Sequence, residues 1–126
     1  MSRQLRVKRV YDPGSPEDGY RVLVDRLWPR GISRQELGPD DWPRVIAPST
    51  ELRKWFHAHP SEFDAFARRF EAELDANPEA LAVLSEVAGR LERGPVTLLT
   101  AARASPNHAT VLQRRILGLP QGSDGV

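Results

Sequence analysis

Short apolar runs alternate along the chain with segments in which apolar residues recur every three or four positions. The run YRVLVD, centred on Val22-Leu23-Val24, is typical of a strand buried on both faces of a parallel sheet. Leu5, Val7 and Val10 roughly alternate with charged residues, as in a strand with one more solvent-exposed face. In all, apolar runs predict strands over residues 5–11, 20–25, 44–47 and 95–100.

Helical periodicity is clearest in the middle of the chain. Phe63, Phe66, Phe70 and Leu74 recur at spacings of three and four, which predicts a helix over 62–76 with these side chains buried together. Ser61 and Asp64 have the spacing of a capping box at its start. Further helices are predicted from Ser49 or Thr50 to just before Pro60, over 78–91, and from Ser105-Pro106 to about residue 117, with single helical turns after Ser15 and over 34–37.

Strands separated by helices predict an α/β fold. We expect a single three-layer domain over residues 1–117, with a mainly parallel sheet of about four strands flanked by helices, followed by a flexible tail over 118–126. The pairing of the first two strands stays open. Their linker is short enough for a hairpin, whereas parallel crossovers usually need a dozen residues or more.

Composition narrows the classes of function. The 126 residues carry a formal net charge of +1, which does not indicate a partner as strongly charged as nucleic acid or an anionic membrane. Cysteine is absent, so disulfides, thiolate metal sites and cysteine nucleophiles are excluded. The N-terminus lacks the apolar centre of a signal peptide, and no apolar stretch approaches the roughly 18 residues of a membrane span. We therefore expect a cytoplasmic protein without membrane association.

Polar side chains follow each predicted strand, where an open α/β sheet binds its ligands. Guanidinium groups hold phosphate or carboxylate through paired hydrogen bonds, and helix N-termini favour anions. We therefore expect a small anionic or nucleotide-like ligand at the C-terminal edge of the sheet. The predicted ligand-binding residues are Arg26, Trp28, Arg30, Ser49, Arg53 and Asn107.

Each of these residues also has a purely structural interpretation. Arg26 can pair with the adjacent Asp25, Trp28 can pack internally, and Ser49 can simply cap a helix. An arginine in a loop is usually solvated. Several such residues at one sheet edge therefore favour a ligand site more strongly than any one of them alone.

His108 is the predicted catalytic residue. It comes early in a helix directly after a buried strand, where a neutral imidazole can transfer a proton near a bound anion, in hydrolysis or group transfer. The alternative is that His108 and Asn107 only cap and pack. His57 and His59 have a spacing that can hold zinc, but no third ligand is obvious, so we predict no metal and no cofactor. Whether the chain is an enzyme stays open.

Three long strings resemble a known family. VKRVYDPGSPEDGYRVLVDRLWPRGIS, APSTELRKWFH and PVTLLTAAR…NHATVL are similar to the YeaO-like family of uncharacterised bacterial proteins, domain of unknown function 488. The resemblance runs from residue 7 to about residue 117, and it implies a single cytoplasmic α/β domain with no established activity. The family's signatures fall on residues 25–31 and 49–53. Where relatives often carry Cys-His-Arg, this chain has Asn107, His108 and Ala109, which excludes thiol chemistry here.

Two other functions compete with a small-molecule site. Arg114 and Arg115 on the last predicted helix motivate a nucleic-acid-binding module, which the near-zero net charge disfavours. Exposed tryptophans motivate a non-enzymatic interaction protein. The sequence does not predict the oligomeric state.

Overall fold

A computed structural model of the chain, which describes residues 4–119, contains one parallel sheet. Its strands are β1 (Leu5–Arg9), β2 (Tyr20–Leu23) and β3 (Val96–Thr100), in the order β1-β3-β2. β3 lies in the centre, and Val96 is in register with Leu5 on one side and Tyr20 on the other. Because β3 separates them, β1 and β2 do not pair within this sheet, which answers the question that the short linker left open.

The linker from β1 to β2 passes the start of β3. It contains the predicted single turn, a 3-10 helix over Pro16–Asp18 capped by Ser15. Gly19 then adopts a φ of +66°, and a Cβ at this position would lie 2.0 Å from the carbonyl oxygen of Pro95. Only glycine fits this close passage, because any side chain would collide with backbone.

Within residues 4–119, five α-helices accompany the sheet. They are α1 (Arg34–Leu37), α2 (Thr50–Ala58), α3 (Phe63–Asp75), α4 (Pro78–Arg90) and α5 (His108–Leu117). The larger hydrophobic core joins Val22 and Leu98 of the sheet to side chains of α2, α3, α4 and α5. Phe66, Phe70 and Leu74 are buried in this core as predicted, whereas Phe63 is only partly buried.

The other face of the sheet is covered differently. Because side chains alternate along a strand, Leu99 faces away from Leu98 and belongs to a second, smaller cluster. Trp28 and Trp42, from the irregular segment after β2, pack on that cluster together with Leu37 of α1. The α/β class with a parallel sheet is therefore confirmed, while four strands and a three-layer arrangement are not.

Residues 44–47 correct the prediction of a further strand. Arg44–Ile46 forms a 3-10 helix, in which the N–H of Ile46 donates to the carbonyl of Pro43. Prolines at 43 and 48 bracket this run, and proline cannot donate a ladder hydrogen bond. The apolar character of the run reflects the burial of Ile46 in the core, not a strand.

The start of α3 also differs from the prediction. Ser61 does not cap it; the N-cap is Glu62, which makes no side-chain capping hydrogen bond. The N–H of Glu62 instead donates to the carbonyl of His59 in a tight turn after α2. Of the predicted tail over 118–126, residues 120–126 lie outside the described residues. No helix among residues 4–119 is both long enough and apolar enough to cross a membrane.

Candidate functional site

The carboxyl ends of β2 and β3 bring Asp25 and His108 together. Nε2 of His108 lies 2.8 Å from Oδ1 of Asp25, and the two side chains are 16% and 15% exposed. Oδ1 of Asp25 also accepts from the hydroxyl of Thr100, and Oδ2 accepts from the N–H of Ala101. Asp25 therefore pairs with a histidine 83 residues away and not with the adjacent Arg26.

These hydrogen bonds set the charge of Asp25. Burial raises the pKa of its carboxyl, but the hydrogen bonds and charge of His108 and the donors of Ala101 and Thr100 outweigh burial, so the pKa lies below its usual value. An ionised carboxylate only accepts hydrogen bonds, so Nε2 of His108 must donate. In the neutral imidazole Nδ1 is then a bare acceptor, and it has no partner among residues 4–119.

Asn107 fixes the start of α5 and so positions His108. Its Oδ1 accepts from the N–H of Ala109 at 2.8 Å, and its Nδ2 donates to the carbonyl of Ala104 at 2.7 Å. Both ends of this buried amide are therefore used in capping the helix. Asn107, which was predicted to bind the ligand, therefore positions His108.

Arg26 and Ser49 line one cleft on the helix-bearing face of the sheet. Nε of Arg26 donates to the carbonyl of Pro48 at 3.0 Å, and Nη2 donates to that of Ala47 at 3.2 Å. These bonds fix the guanidinium beside the start of α2. The cleft has a volume of about 190 Å³. Its lining residues are Arg26, Val45, Ala47, Ser49, Phe70, Glu73, Leu74 and Asn77.

Ser49 is the N-cap of α2; the sequence had left the choice between Ser49 and Thr50 open. Ser49 also forms hydrogen bonds with Glu73. Its hydroxyl oxygen accepts from the N–H of Leu52. Its own N–H donates to Oε1 of Glu73 at 2.9 Å, and its hydroxyl donates to Oε2 at 2.5 Å. Ser49 therefore caps α2 and holds Glu73 through two hydrogen bonds at the same time.

The remaining predicted residues lie neither beside the pair of Asp25 and His108 nor in the cleft of Arg26 and Ser49. Trp28 packs edge-on against Trp42 with 5.4 Å between ring centroids, and its Nε1 donates to the carbonyl of Ile32. Arg30 and Arg53 are exposed, and within residues 4–119 their side chains form no hydrogen bond or ion pair. The structure thus brings Arg26 together with Ser49, and Asn107 together with His108.

The two neighbouring histidines have other surroundings. His59 stacks on Trp55 with 4.6 Å between ring centroids, and its Nδ1 lies 2.8 Å from the carbonyl of Trp55. His57 is exposed. In the part of the chain that the structure describes, no three histidine, aspartate or glutamate side chains are grouped so that they can hold a metal ion.

Sequence reasoning missed Asp25 and Glu73 as members of these groups. Asp25 had a usable signal, because it follows one buried strand and His108 follows another, and the ends of adjacent parallel strands meet at one edge. No sequence signal that we recognise identifies Glu73, since it is one of several acidic residues in a regular helix.

Similar proteins agree with the resemblance carried by the motifs. A family model described as "Inactive DUF488-N3 subclade" matches residues 4–124. The uncharacterized protein YeaO of Escherichia coli is 45% identical over 109 residues, which cover 86% of this chain and 92% of that protein. The uncharacterized protein Mb3100c of Mycobacterium bovis is 44% identical over 116 residues, covering 91% and 95% respectively. No solved structure is significantly similar to the chain.

Proposed function

The chain belongs to the YeaO-like DUF488 family, and from that premise we propose that it binds a small anionic molecule in the cleft beside Arg26 and Ser49. The observation that carries the proposal is the fixed guanidinium of Arg26. Of its five N–H groups, two are held by the carbonyls of Ala47 and Pro48, and the others have no partner among residues 4–119. A guanidinium already held in place loses little freedom when it binds an oxyanion.

The size of the cleft limits the ligand. Its volume of about 190 Å³ is below the roughly 300–1,000 Å³ of most small-molecule pockets. A carboxylate or phosphate group with a few carbon atoms fits this volume better than a whole nucleotide. The half-buried side chain of Val45, which also lines the cleft, offers an apolar wall for those carbons.

Binding without turnover agrees best with the family match. The hydroxyl of Ser49 already serves as the cap of α2 and as the donor to Glu73. The subclade that the chain matches is itself described as inactive. The proposed ligand is therefore held, and the proposal requires no chemical step.

The test is a titration of the ¹⁵N-labelled chain with inorganic phosphate and, separately, with butyrate. We expect the Nε–H signal of Arg26 and the amide signal of Ser49 to shift with saturation. Arg26→Gln should weaken binding at least about tenfold, which corresponds to about 1.4 kcal/mol. Arg30→Gln is the matched control, because Arg30 lies in the same segment with an exposed side chain.

Two results would contradict the proposal. One is the absence of any shift in the wild-type chain at tens of millimolar of both anions. The other is equal affinity in Arg26→Gln and Arg30→Gln. Arg26→Lys, which keeps the charge but not the paired geometry, separates a specific site from general attraction, because we expect it to bind less tightly than the wild type.

Proton transfer by His108 is a second candidate function, favoured by its hydrogen bond to Asp25. A carboxylate that holds Nε2 leaves Nδ1 able to accept a proton from a ligand. Incubation with p-nitrophenyl phosphate and p-nitrophenyl acetate tests this candidate. A rate above the blank that disappears in both His108→Gln and Asp25→Asn supports it, and equal rates in all three proteins exclude it for these reactions.

A further inference from the structure

The cleft beside Arg26 contains two opposite charges that do not pair with each other. Arg26 and Glu73 both line it, yet none of the ion pairs within residues 4–119 joins Arg26 to Glu73. Unpaired opposite charges in one partly buried cleft are unusual, since each loses hydration without gaining the other. Their separation therefore needs a structural reason.

The peptide unit between Pro48 and Ser49 provides that reason. Its carbonyl accepts from Nε of Arg26 at 3.0 Å, and its N–H donates to Oε1 of Glu73 at 2.9 Å. In a trans peptide the C=O and N–H point in opposite directions. Arg26 and Glu73 are consequently held on opposite edges of one peptide plane, with Nε and Oε1 at most roughly 8 Å apart.

We propose that this cleft binds a small zwitterion of the amino acid class, with its carboxylate on Arg26 and its ammonium on Glu73. The inference rests on the proposed function and names the ligand class for the same site. A purely anionic ligand has to share the cleft with the carboxylate of Glu73, and a purely cationic ligand has to share it with Arg26. A zwitterion satisfies both charges at once, which is the complementarity that selects one partner over others.

Both side chains retain the capacity to bind such a ligand. A carboxylate offers about four lone-pair sites, and Ser49 occupies two of those on Glu73. Arg26 keeps N–H groups beyond the two that bind carbonyls. The ammonium and carboxylate of an amino acid, each at about 3 Å from its partner, can lie beside that peptide and join Glu73 to the remaining N–H groups of Arg26. A short aliphatic side chain then lies against Val45.

Three ligands of matched carbon skeleton test the inference on the wild-type chain. These are 2-aminobutyrate, butyrate, which lacks the amine, and propylamine, which lacks the carboxylate. We expect 2-aminobutyrate to bind at least about tenfold more tightly than either of the others in ¹⁵N chemical-shift titrations, with shifts at Ser49 and Arg26. Equal affinity for 2-aminobutyrate and butyrate overturns the inference but leaves the proposed function standing. No binding of 2-aminobutyrate, butyrate or phosphate overturns both.

Glu73→Gln gives a second test with opposite signs for two ligands. The amide oxygen can accept from the N–H of Ser49 while the amide NH₂ donates to its hydroxyl oxygen, so the start of α2 stays held. Removing the negative charge should lower the affinity for 2-aminobutyrate and raise the affinity for butyrate, each by several-fold. Glu62→Gln, an exposed change on the same helix region, should alter neither. If Glu73→Gln binds 2-aminobutyrate as tightly as the wild type, Glu73 does not hold the ammonium and the inference is wrong.

Discussion

Two aspartates flank β2, and they show how differently a buried carboxylate can be used. Asp18 precedes the strand and is fully buried; it accepts from Lys8, from Arg21 and from the N–H of Ser15. Asp25 follows the strand and accepts from a hydroxyl, a backbone N–H and His108. Burial raises the pKa of each carboxyl, and the hydrogen bonds outweigh burial in both, so each pKa lies below its usual value.

The partners make the difference between the two. Asp18 binds two cations that stay charged at physiological pH, and it joins β1, β2 and their linker. Its backbone carbonyl also accepts from the hydroxyl of Thr97 in β3. Asp25 binds a histidine, the type of side chain whose ordinary pKa lies near neutral pH, and the other ring nitrogen of that histidine has no partner in the described part of the chain. A perturbed pKa therefore marks both sites, but only the site with an unfilled partner position is suited to a ligand.

The largest effect is expected from Asp18→Asn. The change keeps the shape of the side chain but leaves Lys8 and Arg21, which are 21% and 14% exposed, without their negative partner. Breaking a buried pair in this way typically costs about 3–5 kcal/mol of unfolding free energy. Urea denaturation followed by circular dichroism measures the loss.

Glu17→Gln is the matched control for that variant. Glu17 is the neighbouring acidic residue, 79% exposed and 4.0 Å from Arg6. We expect its unfolding free energy to stay within about 0.5 kcal/mol of the wild type. If Asp18→Asn also stays within that range, the cluster of Lys8, Asp18 and Arg21 does not hold the linker to the sheet.

A smaller loss is expected from Asp25→Asn. The hydrogen bonds of Thr100 and Ala101 lose a charged acceptor, which costs about 1–3 kcal/mol for groups of this kind. The loss is smaller than for Asp18 because a histidine, unlike a lysine or an arginine, need not carry a charge beside a neutral partner. Urea denaturation at pH 7 makes the comparison. A loss equal to that of Asp18→Asn would remove the distinction between the two aspartates.

Acid should unfold the chain partly through these same carboxyls. Each folded-state pKa lies below the ordinary value of 3.8, so each carboxylate contributes stability that is complete above that value. The contribution is lost as the pH falls through the lower folded-state pKa. We expect the unfolding free energy of the wild type to fall below about pH 4, and to fall less steeply in Asp25→Asn and in Asp18→Asn. Parallel slopes in all three proteins would show that other groups control acid unfolding.

Local sequence patterns predicted most of the helices and strands, and they failed where prolines prevented the predicted strand from forming. The periodicity of Phe66, Phe70 and Leu74 identified α3 because a helix that packs on a sheet must repeat its apolar positions. The apolar run at Val45 and Ile46 looked like a strand for the same local reasons. The flanking prolines turned it into a 3-10 helix, and the prediction weighed apolar character above proline.

Sequence position selected residues for the candidate site but not their partners. His108 and Arg26 were proposed because each follows a buried strand, which is a local feature. The partners of the site are not local: Asp25 meets His108 across 83 residues, and Ser49 meets Glu73 across 24. A sequence pattern gives the side of an element on which a polar residue lies. Which polar residue it meets depends on the packed arrangement of several elements.

The smallest effect is a change in the proton position on His108. Because ionised Asp25 only accepts, the neutral imidazole should carry its proton on Nε2 and leave Nδ1 bare. Long-range ¹H–¹⁵N correlation at pH 8 should show one Nε2–H tautomer for His108. Exposed His57, which lacks such a partner among residues 4–119, should show the averaged signals of a mixture. In Asp25→Asn the amide can accept or donate, so His108 should approach the mixture while stability changes as above. A proton on Nδ1 in the neutral wild-type ring would show that Asp25 does not orient His108. Nδ1 would then not be an available acceptor, and the site of Asp25 would no longer differ from that of Asp18 in this respect.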